Sequence, residues 1–298
     1  MLGDNQDMRV QHFVLTRFNV RFAFFMERYG WSGADPAYLD QRFALFEKNC
    51  LPAMKRQAVP FRWLVFFSKS TPDAYKERAR GYVRECPSFE AVFVDDDLPI
   101  RGADMQETFY RYVAERLDAD AEWVITTRID NDDAFNVHAL MWIRASVEEY
   151  MSRDGEKGAF FVALPNGNAW LAAYSFTQSY SWKFNHFPSY VCPRAERCQV
   201  LAFNHVRIKS CGLPIVLNPA GHAWLEIVSG TNLKNGFRPS CRACRMSSQE
   251  LREAFAIDAD ISRLRGLLFY LMRYLPARML WRLRCVAKRF SRLFGTKG

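Results

Sequence analysis

Four short apolar runs alternate with helical patterns between residues 12 and 129, and this alternation limits the chain to one fold class. The runs cover residues 12–16, 61–67, 89–94 and 123–129. Strands joined by helices in this order form a mostly parallel sheet through right-handed crossovers. The second run, FRWLVFF, is almost entirely apolar, which is typical of a strand covered on both faces. We therefore predict an α/β fold with three layers, in which ligands bind beyond the carboxyl ends of the strands.

The second half of the chain has a less regular pattern. After a predicted helix at 137–151, we expect short strands at 159–164, 169–176, 199–207 and 215–217. We expect this half to be more antiparallel and more irregular than the first. Residues 177–198 and 228–247 are rich in Ser, Asn, Cys, Pro and aromatic residues. This composition is typical of loops, and we expect both segments to be mobile and to close over a substrate.

Three carboxylates stand within four positions directly after the fourth apolar run, in TTRIDNDDAF at 126–135. Asp130, Asp132 and Asp133 would repel one another by about 1 to 4 kcal/mol per pair, so they need a cation or strong hydrogen-bond donors. Mg²⁺ and Mn²⁺ bind such oxygens together with substrate phosphates. The alternative is a capped turn whose Asp and Asn side chains bond their own backbone.

Charge is distributed unevenly along the chain. Ten of the 41 Lys and Arg residues lie in 261–298, which has no Asp or Glu, and this leaves 31 basic against 32 acidic residues before it. The near-neutral body argues against binding of nucleic acid. Two apolar helical stripes in 261–298, interrupted by Pro276, have basic residues opposite them. They predict a peripheral anchor on an anionic membrane surface or, alternatively, helices packed on the body.

These patterns predict two parts, an α/β domain at 1–250 and a basic amphipathic helical tail at 251–298. The polar and acidic start, MLGDNQDMRV, lacks the features of a signal peptide. No apolar run approaches the roughly 20 residues that span a bilayer. We therefore expect a cytoplasmic protein that is peripheral at the inner face of the plasma membrane.

The eight cysteines are scattered, and reduced thiols are the default in the cytosol. Cys241 and Cys244 form a single CxxC motif, with Cys192, Cys198 and Cys211 as possible partners in a zinc site. A lone CxxC is a weak signal, so ordinary thiols are the favoured interpretation. Three histidines are interpreted as core or loop residues rather than as ligands: His186, His205 and His222.

Four sequence blocks together resemble the bacterial putative rhamnosyltransferase family, a group similar to GT-A glycosyltransferases. The blocks are HFVLTRFNVR at 12–21, the helix residues Arg42, Phe46, Pro52 and Gln57, TTRIDNDDAF at 126–135, and WLEIVSGTN at 224–232. The resemblance covers most of residues 11–237. It implies a GT-A-like fold in which Asp130 and Asp132 form an Asp-x-Asp element that holds Mn²⁺ or Mg²⁺ on the diphosphate of a donor.

One position departs from the family pattern, in which a histidine often stands where this chain has Ser229. Asp133, His222 or water would then complete the coordination of the ion, or its binding would depend more on the nucleotide.

The resemblance implies transfer of a sugar, such as rhamnose, from a nucleoside-diphosphate donor to a hydroxyl of a surface glycan or lipid-linked acceptor. The candidates for nucleotide binding follow the first, third and fourth strands: Arg17, Asn19, Asp95, Asp97 and Arg128. Asp133 is the nearest candidate for a general base. Trp224 and Asn232 are candidates for contacts with the donor or acceptor sugar.

Two other functions are compatible with the sequence. Clustered carboxylates at a strand end also suit a metal-dependent phosphohydrolase or nucleotidyltransferase. That chemistry usually requires a second metal ion, and residues 159–225 are poor in carboxylates. The chain could instead be a membrane-docked, non-catalytic protein that binds glycans or serves as a scaffold, in which case it would not bind nucleotide.

Overall fold

A computed structural model of the chain describes residues 9–20, 33–96, 103–153, 155, 157–229 and 236–294. The described residues form twelve strands: β1 (Val10–Arg17), β2 (Arg62–Ser68), β3 (Phe89–Val94), β4 (Trp123–Arg128), β5 (Ala134–Phe135), β6 (Phe160–Ala163), β7 (Asn166–Leu171), β8 (Phe176–Ser181), β9 (Ser189–Pro193), β10 (Ile215–Leu217), β11 (Trp224–Val228) and β12 (Arg242–Cys244). They also form eight α-helices: α1 (Pro36–Leu45), α2 (Leu51–Lys55), α3 (Asp73–Gly81), α4 (Ala103–Ala114), α5 (Ala139–Met151), α6 (Ser248–Phe255), α7 (Arg263–Phe269) and α8 (Leu275–Phe294). Asp97 and Asn232, predicted to contact nucleotide and sugar, lie outside the described residues.

The central sheet has seven strands in the order β10-β6-β9-β4-β1-β2-β3. β1 lies between two parallel neighbours, so that Leu15 pairs with Leu64 of β2 and with Arg128 of β4. β9 runs antiparallel between β4 and β6, and β10 is parallel to β6. The α/β class with a mostly parallel sheet, predicted from the strand-helix alternation, is confirmed.

Helices cover both faces of this sheet because side chains along each strand alternate between two apolar cores. In β2, Trp63, Val65 and Phe67 pack in a core shared with α1, α2, α3 and α5. Leu64 and Phe66 face the opposite core, which contains α4. All five side chains are fully buried. The predicted arrangement of three layers is therefore confirmed.

A second sheet, with the order β12-β8-β7-β11-β5, positions the functional site. Its shortest strand, β5, follows the acidic turn directly, and there Ala134 pairs with Leu225 and Phe135 with Trp224 of antiparallel β11. This pairing brings β11 next to residues 130–133. The helix α6 packs on the same sheet through an apolar cluster that includes Leu225. The proposed boundary at residue 250 stays a prediction.

The loop prediction for residues 177–198 is wrong. This segment contains most of β8 and all of β9, and β9 is an interior strand of the central sheet with Val191 and Cys192 fully or almost fully buried. Local composition misled the prediction because the hydrogen bonds of β9 come from β4 and β6, which lie far away in the sequence.

Two strand predictions are also wrong. The strand expected at 169–176 is interrupted by a short helical turn at Ala172–Tyr174, which separates β7 from β8. The strand expected at 199–207 is replaced by 3₁₀ turns that the side chains of Gln199 and Asn204 cap. Capping by these amides offers the backbone an alternative to strand pairing.

The segment from 263 to 294 is helical, as predicted, but Pro276 does not divide it. α7 and α8 are joined by a wider helical turn, Tyr270–Tyr274, and the N–H of Leu275 bonds to the carbonyl of Tyr270, five residues earlier. Pro276 follows this turn as the second residue of α8, where the helix tolerates its missing N–H. In the described part of the chain, no helix is long and apolar enough to span a bilayer.

Candidate active site

The acidic turn lies at the carboxyl end of β4. The N–H of Ile129 bonds to the carbonyl of Leu15 at 3.3 Å, so pairing with β1 extends one residue beyond β4. The N–H of Asp133 bonds to the carbonyl of Asp130, also at 3.3 Å, and closes the turn. Because β5 is then held by β11, both ends of the turn are fixed by strand pairing.

Asp130 lies beside two arginines. Arg128 Nη2 donates to Asp130 Oδ1 at 2.9 Å and to Oδ2 at 3.2 Å. Burial opposes the charge of Asp130, but the charges of Arg128, His186 and Arg17 outweigh burial and lower the pKa of this carboxyl. Burial and the nearby Arg128 charge lower the pKa of Arg17 to about 10, so Arg17 stays cationic at neutral pH. Two residues predicted to bind nucleotide are thus brought together.

Asp132 is directed toward α1 rather than toward Asp130. Its Oδ2 accepts a hydrogen bond from Arg42 Nη1 at 3.0 Å, and both side chains are largely buried. Arg42 also donates to Asn131, whose own amide donates to the carbonyl of Phe18 at 3.0 Å. Burial opposes the charge of Arg42, but Asp132 outweighs burial and raises the pKa of the guanidinium. The Arg42–Asp132 pair fixes the turn against α1.

Replacing Arg42 with Ala should destabilise the fold by about 3 to 5 kcal/mol, because it leaves the buried Asp132 carboxylate without its cation. Urea unfolding followed by circular dichroism measures this loss. The matched control is Arg9→Ala, which breaks the solvent-exposed ion pair of Arg9 with Glu122 and should leave the unfolding midpoint unchanged. Equal effects of the two substitutions would contradict a structural role for Arg42.

Asp133 is completely buried and faces His186. Its Oδ1 accepts a hydrogen bond from the N–H of Ile227 at 2.8 Å, whereas its Oδ2 lies 3.5 Å from His186 Nε2. Neither Oδ2 nor Nε2 has a hydrogen-bond partner among the described residues. Burial, with the Asp132 and Asp130 charges, raises the pKa of Asp133 well above its ordinary value. Burial also lowers the pKa of His186.

His186 reaches this position from the segment that precedes β9. Asn185 anchors the segment, since its amide donates to the carbonyl of Leu164 at 2.8 Å and its Oδ1 accepts from the N–H of Phe187 at 2.9 Å. The N–H of Arg128 also bonds to the carbonyl of Pro188 at 3.1 Å. The pairing of β9 with β4 therefore places an imidazole over the acidic turn.

Three potential metal ligands converge at this point. Ligand atoms of Asp130, Asp133 and His186 all lie within 4.8 Å of one another. Two carboxylates and an imidazole suit a divalent cation such as Mn²⁺, and a cation would satisfy the two buried atoms that have no hydrogen-bond partner. The donor set therefore fits a divalent ion. It includes Asp130 and Asp133 but not Asp132, which the family resemblance paired with Asp130.

Glu226 is a fully buried carboxylate in the otherwise apolar strand β11. Its Oε1 lies 3.6 Å from Arg238 Nη2. The Glu226 charge adds to the burial-driven rise of the Asp133 pKa and opposes the burial-driven fall of the His186 pKa. Side chains alternate along a strand, so Glu226 is on the opposite face of β11 from Leu225 and Ile227, which pack in the apolar cluster with α6.

A surface cleft of about 480 Å³ adjoins Arg238. Its lining combines hydroxyls, two arginines, a thiol and one indole: Ser179, Ser181, Trp182, Arg238, Ser240, Cys241 and Arg242. The guanidinium of Arg238 lies 5.9 Å from the centre of the Trp182 ring. Arg238 therefore contacts both the cleft and Glu226, and the cleft has the polar and aromatic groups that suit a sugar.

Trp224, predicted to contact a sugar, is fully buried. Its indole Nε1 donates to the carbonyl of Leu164 at 2.9 Å, and its ring centre lies 6.1 Å from that of His186. A Cβ at Gly167 would lie 2.1 Å from this ring, so β7 approaches closely only because position 167 is glycine. The buried Trp224 ring thus lies next to the His186 ring. A contact between Trp224 and a sugar stays a prediction.

Two predicted nucleotide residues lie at the ends of β1 and β3. Asn19 is buried, where its amide donates to the carbonyl of Gly33 at 2.7 Å and to Thr71 Oγ1 at 2.9 Å. Asp95 is exposed and forms an ion pair with Lys69, which lowers the pKa of this carboxyl. Asn19 therefore connects the segment after β1 with Gly33 and Thr71. Nucleotide contacts by Asn19 and Asp95 stay predictions.

All eight cysteines are free thiols. In the described part of the chain, neither Cys241 nor Cys244 belongs to a group of three potential metal ligands. His222, considered as an extra ligand, instead bonds through Nδ1 to the Asn168 amide at 2.8 Å. The zinc alternative has no ligand set within those residues.

Two residues of the candidate site were not identified from the sequence. His186 was interpreted as a core or loop residue, and nothing in its neighbourhood in the chain indicates a ligand. Glu226 stands in the apolar run WLEIV, and a carboxylate in such a run is a signal that could have identified it.

Comparison with known proteins assigns the chain to a family. The sequence matches the family described as "Putative rhamnosyl transferase" over residues 15–239. No curated protein sequence matches the chain.

Three solved structures are similar to the chain at low identity. S. aureus TarS 1–349 in complex with UDP is 10% identical, with a TM-score of 0.39 and coverage of 74% of this chain and 61% of that one. The UDP-GlcNAc complex of the same fragment is 10% identical, with a TM-score of 0.40 and coverage of 82% and 64%. GlyE of Streptococcus pneumoniae TIGR4 is 11% identical, with a TM-score of 0.32 and coverage of 93% and 64%. This chain spans about three fifths of the length of these structures.

The family match, rather than these distant likenesses, carries the assignment. It covers about three quarters of the sequence and includes the acidic turn, His186 and Glu226. The chain therefore belongs to the putative rhamnosyl transferase family.

Proposed function

We propose that this chain is a glycosyltransferase that uses Mn²⁺ or Mg²⁺ to transfer a sugar from a nucleoside-diphosphate donor to a hydroxyl of a glycan or lipid-linked acceptor. The description of the family suggests rhamnose as the sugar. The observation that carries the proposal is the convergence of Asp130, Asp133 and His186 at the carboxyl end of β4, beside Arg128 and Arg17. Carboxyl ends of strands are where α/β sheets bind ligands.

In this proposal, Asp130, Asp133 and His186 hold the divalent ion, which when bound neutralises negative charge that develops on the departing diphosphate. In this proposal, Arg17 and Arg128 donate hydrogen bonds to phosphate oxygens, a role that suits the planar guanidinium. Asp132 does not bind the ion. It holds the turn in position through Arg42.

Glu226 is the proposed general base. Its carboxylate takes the proton of the acceptor hydroxyl while the hydroxyl oxygen forms a bond to the anomeric carbon. The bond from that carbon to the diphosphate oxygen breaks, and the nucleoside diphosphate leaves with the electron pair. Asp133, the base expected from the sequence, bonds to the backbone of β11 through one oxygen and faces His186 with the other, so we assign it to the ion instead.

A thermal-shift screen of UDP, dTDP, GDP and CMP, each with and without Mn²⁺, tests the donor class. A nucleotide that binds the folded chain at 100 times its Kd adds about 2.7 kcal/mol of stability, which corresponds to a rise in Tm of about 5 °C. We expect this rise for one diphosphate, with dependence on Mn²⁺ and loss in Asp130→Asn. The matched control is Asp73→Asn, which changes an exposed carboxylate on α3 and should keep the rise.

Two outcomes of the screen would contradict the proposal. Absence of a shift with every nucleotide would favour the non-catalytic, glycan-binding alternative. A rise in Tm that is the same with and without Mn²⁺ would show that binding of the donor does not require the ion.

A further inference from the structure

The helical segment 263–294 exposes a large apolar surface. Met272, Leu264 and Leu283 are 72%, 68% and 66% exposed, which is unusual for side chains of this size. Further large apolar side chains of the segment are also exposed: Leu267, Leu268, Leu271, Leu275, Met279, Leu280, Trp281 and Val286.

In α8 this apolar surface faces away from the body of the protein, here the described residues between 9 and 261. Leu275, Met279, Leu283 and Val286 follow one another at helical spacing and form one stripe, here called the apolar stripe. Tyr274 and Arg278, which contact the body, lie roughly 120° away around the helix at 100° per residue. The apolar stripe is therefore open to a partner while the helix stays attached.

Basic residues lie beside and opposite the apolar stripe on α8. Arg282, Lys288 and Arg289 are exposed on α8, and the whole of 261–298 has ten Lys or Arg and no acidic residue. A second copy of segment 263–294 would bring nine more positive charges to the contact, which disfavours helix-to-helix dimerisation. Anionic lipid headgroups complement both features, because they neutralise the cations while the acyl region accepts the apolar side chains.

We propose that segment 263–294 lies in the plane of an anionic membrane surface, with the apolar stripe in the acyl region and its basic residues on lipid phosphates. The occupant of the exposed face is thus a bilayer rich in anionic lipid.

The attachment of the segment connects this surface to the proposed site of transfer. Tyr274 Oη donates to the carbonyl of Cys241 and accepts from the N–H of Ala243, both at 3.0 Å. Arg278 Nη1 donates to the carbonyls of Pro239 at 2.9 Å and Cys241 at 2.7 Å. These bonds hold Pro239, Cys241 and Ala243. Cys241 lines the cleft together with the neighbouring Arg238, Ser240 and Arg242. Resting on the proposed function, this attachment keeps the cleft near the membrane surface, which favours a lipid-linked acceptor over a free glycan.

Sedimentation of the full chain with extruded vesicles tests the proposal. Wild type should bind vesicles of phosphatidylglycerol and phosphatidylcholine at least about tenfold more tightly than vesicles of phosphatidylcholine alone, and salt should reduce this difference. The double variant Met279→Glu/Leu283→Glu should bind about 100-fold more weakly, because it places carboxylates in the apolar stripe. Its Tm should equal that of wild type, since neither side chain packs on the body.

The matched control is Val83→Glu, which adds a carboxylate at an apolar side chain of the body that is 49% exposed and should bind vesicles like wild type. Three results would overturn the proposal: no binding of wild type to anionic vesicles, equal binding by the double variant, or a dimer in light scattering without lipid that the double variant loses. The vesicle assay contains no nucleotide, so its failure is independent of the nucleotide screen, and a negative screen leaves the vesicle result intact.

Discussion

Replacing His186 with Ala should weaken Mn²⁺ binding by at least about 100-fold and reduce sugar transfer by about 10²- to 10³-fold. The substitution removes the one imidazole of the Asp130–Asp133–His186 group. Two carboxylates then remain without a neutral ligand. Asp133 Oδ2 also loses the imidazole nitrogen that it faces at 3.5 Å. Isothermal titration with Mn²⁺ measures the affinity directly, and release of nucleoside diphosphate measures turnover.

Asp132→Asn is the informative control for this experiment because the family resemblance assigned Asp132 to the ion. The structure pairs Asp132 with Arg42, so Asp132→Asn should reduce stability while retaining most of the Mn²⁺ affinity. The opposite result, with affinity lost in Asp132→Asn and kept in His186→Ala, would restore the Asp130–Asp132 pair as the ion's ligands and refute the group that includes His186.

Replacing Glu226 with Gln should reduce sugar transfer by about 10²- to 10⁴-fold while leaving nucleotide and Mn²⁺ binding within about twofold of wild type. The amide has nearly the same shape as the carboxylate but cannot take the proton of the acceptor hydroxyl. Since Glu226 is fully buried and lies 3.6 Å from Arg238, an effect on packing must be separated from an effect on chemistry.

Steady-state kinetics with varied acceptor separates the two effects, because loss of a base lowers kcat whereas a distorted cleft raises KM. Glu226→Asp keeps a carboxylate and should recover part of kcat. The exposed Glu148→Gln on α5 serves as the matched control and should behave like wild type. If Glu226→Gln retains full kcat, the base is another group, and Asp133 becomes the first alternative.

The first half of the fold could be predicted from the sequence because its signals are local. Each of β1 to β4 is a short apolar run, and each is followed by a turn and a helical pattern, so periodicity alone indicates the order of elements. The parallel arrangement follows from the right-handed crossover connections between successive strands. The acidic turn at Asp130–Asp133 could be located for the same reason, since it interrupts an apolar run abruptly.

The second half could not be predicted in the same way. β9 looks like loop sequence, yet it completes the central sheet because β4 and β6 supply its hydrogen bonds. Gln199 illustrates the opposite error, because its side chain caps a 3₁₀ turn where an apolar run indicated a strand. In both cases the backbone bonds to partners that local composition does not describe.

The sequence by itself determined the α/β class, the position of the carboxylates at the end of β4 and the separation of a neutral body from a basic helical segment. These features depend on periodicity, turn residues and charge within short windows. Only the tertiary structure decided which side chains share a site. It turned Asp132 toward Arg42, brought His186 over Asp133 through the pairing of β9 with β4, and placed Glu226 nearby through the pairing of β11 with β5. The physical reason is that burial and partners distant in the chain fix the direction in which each side chain of a turn points. The order of residues within the turn carries no information about those partners.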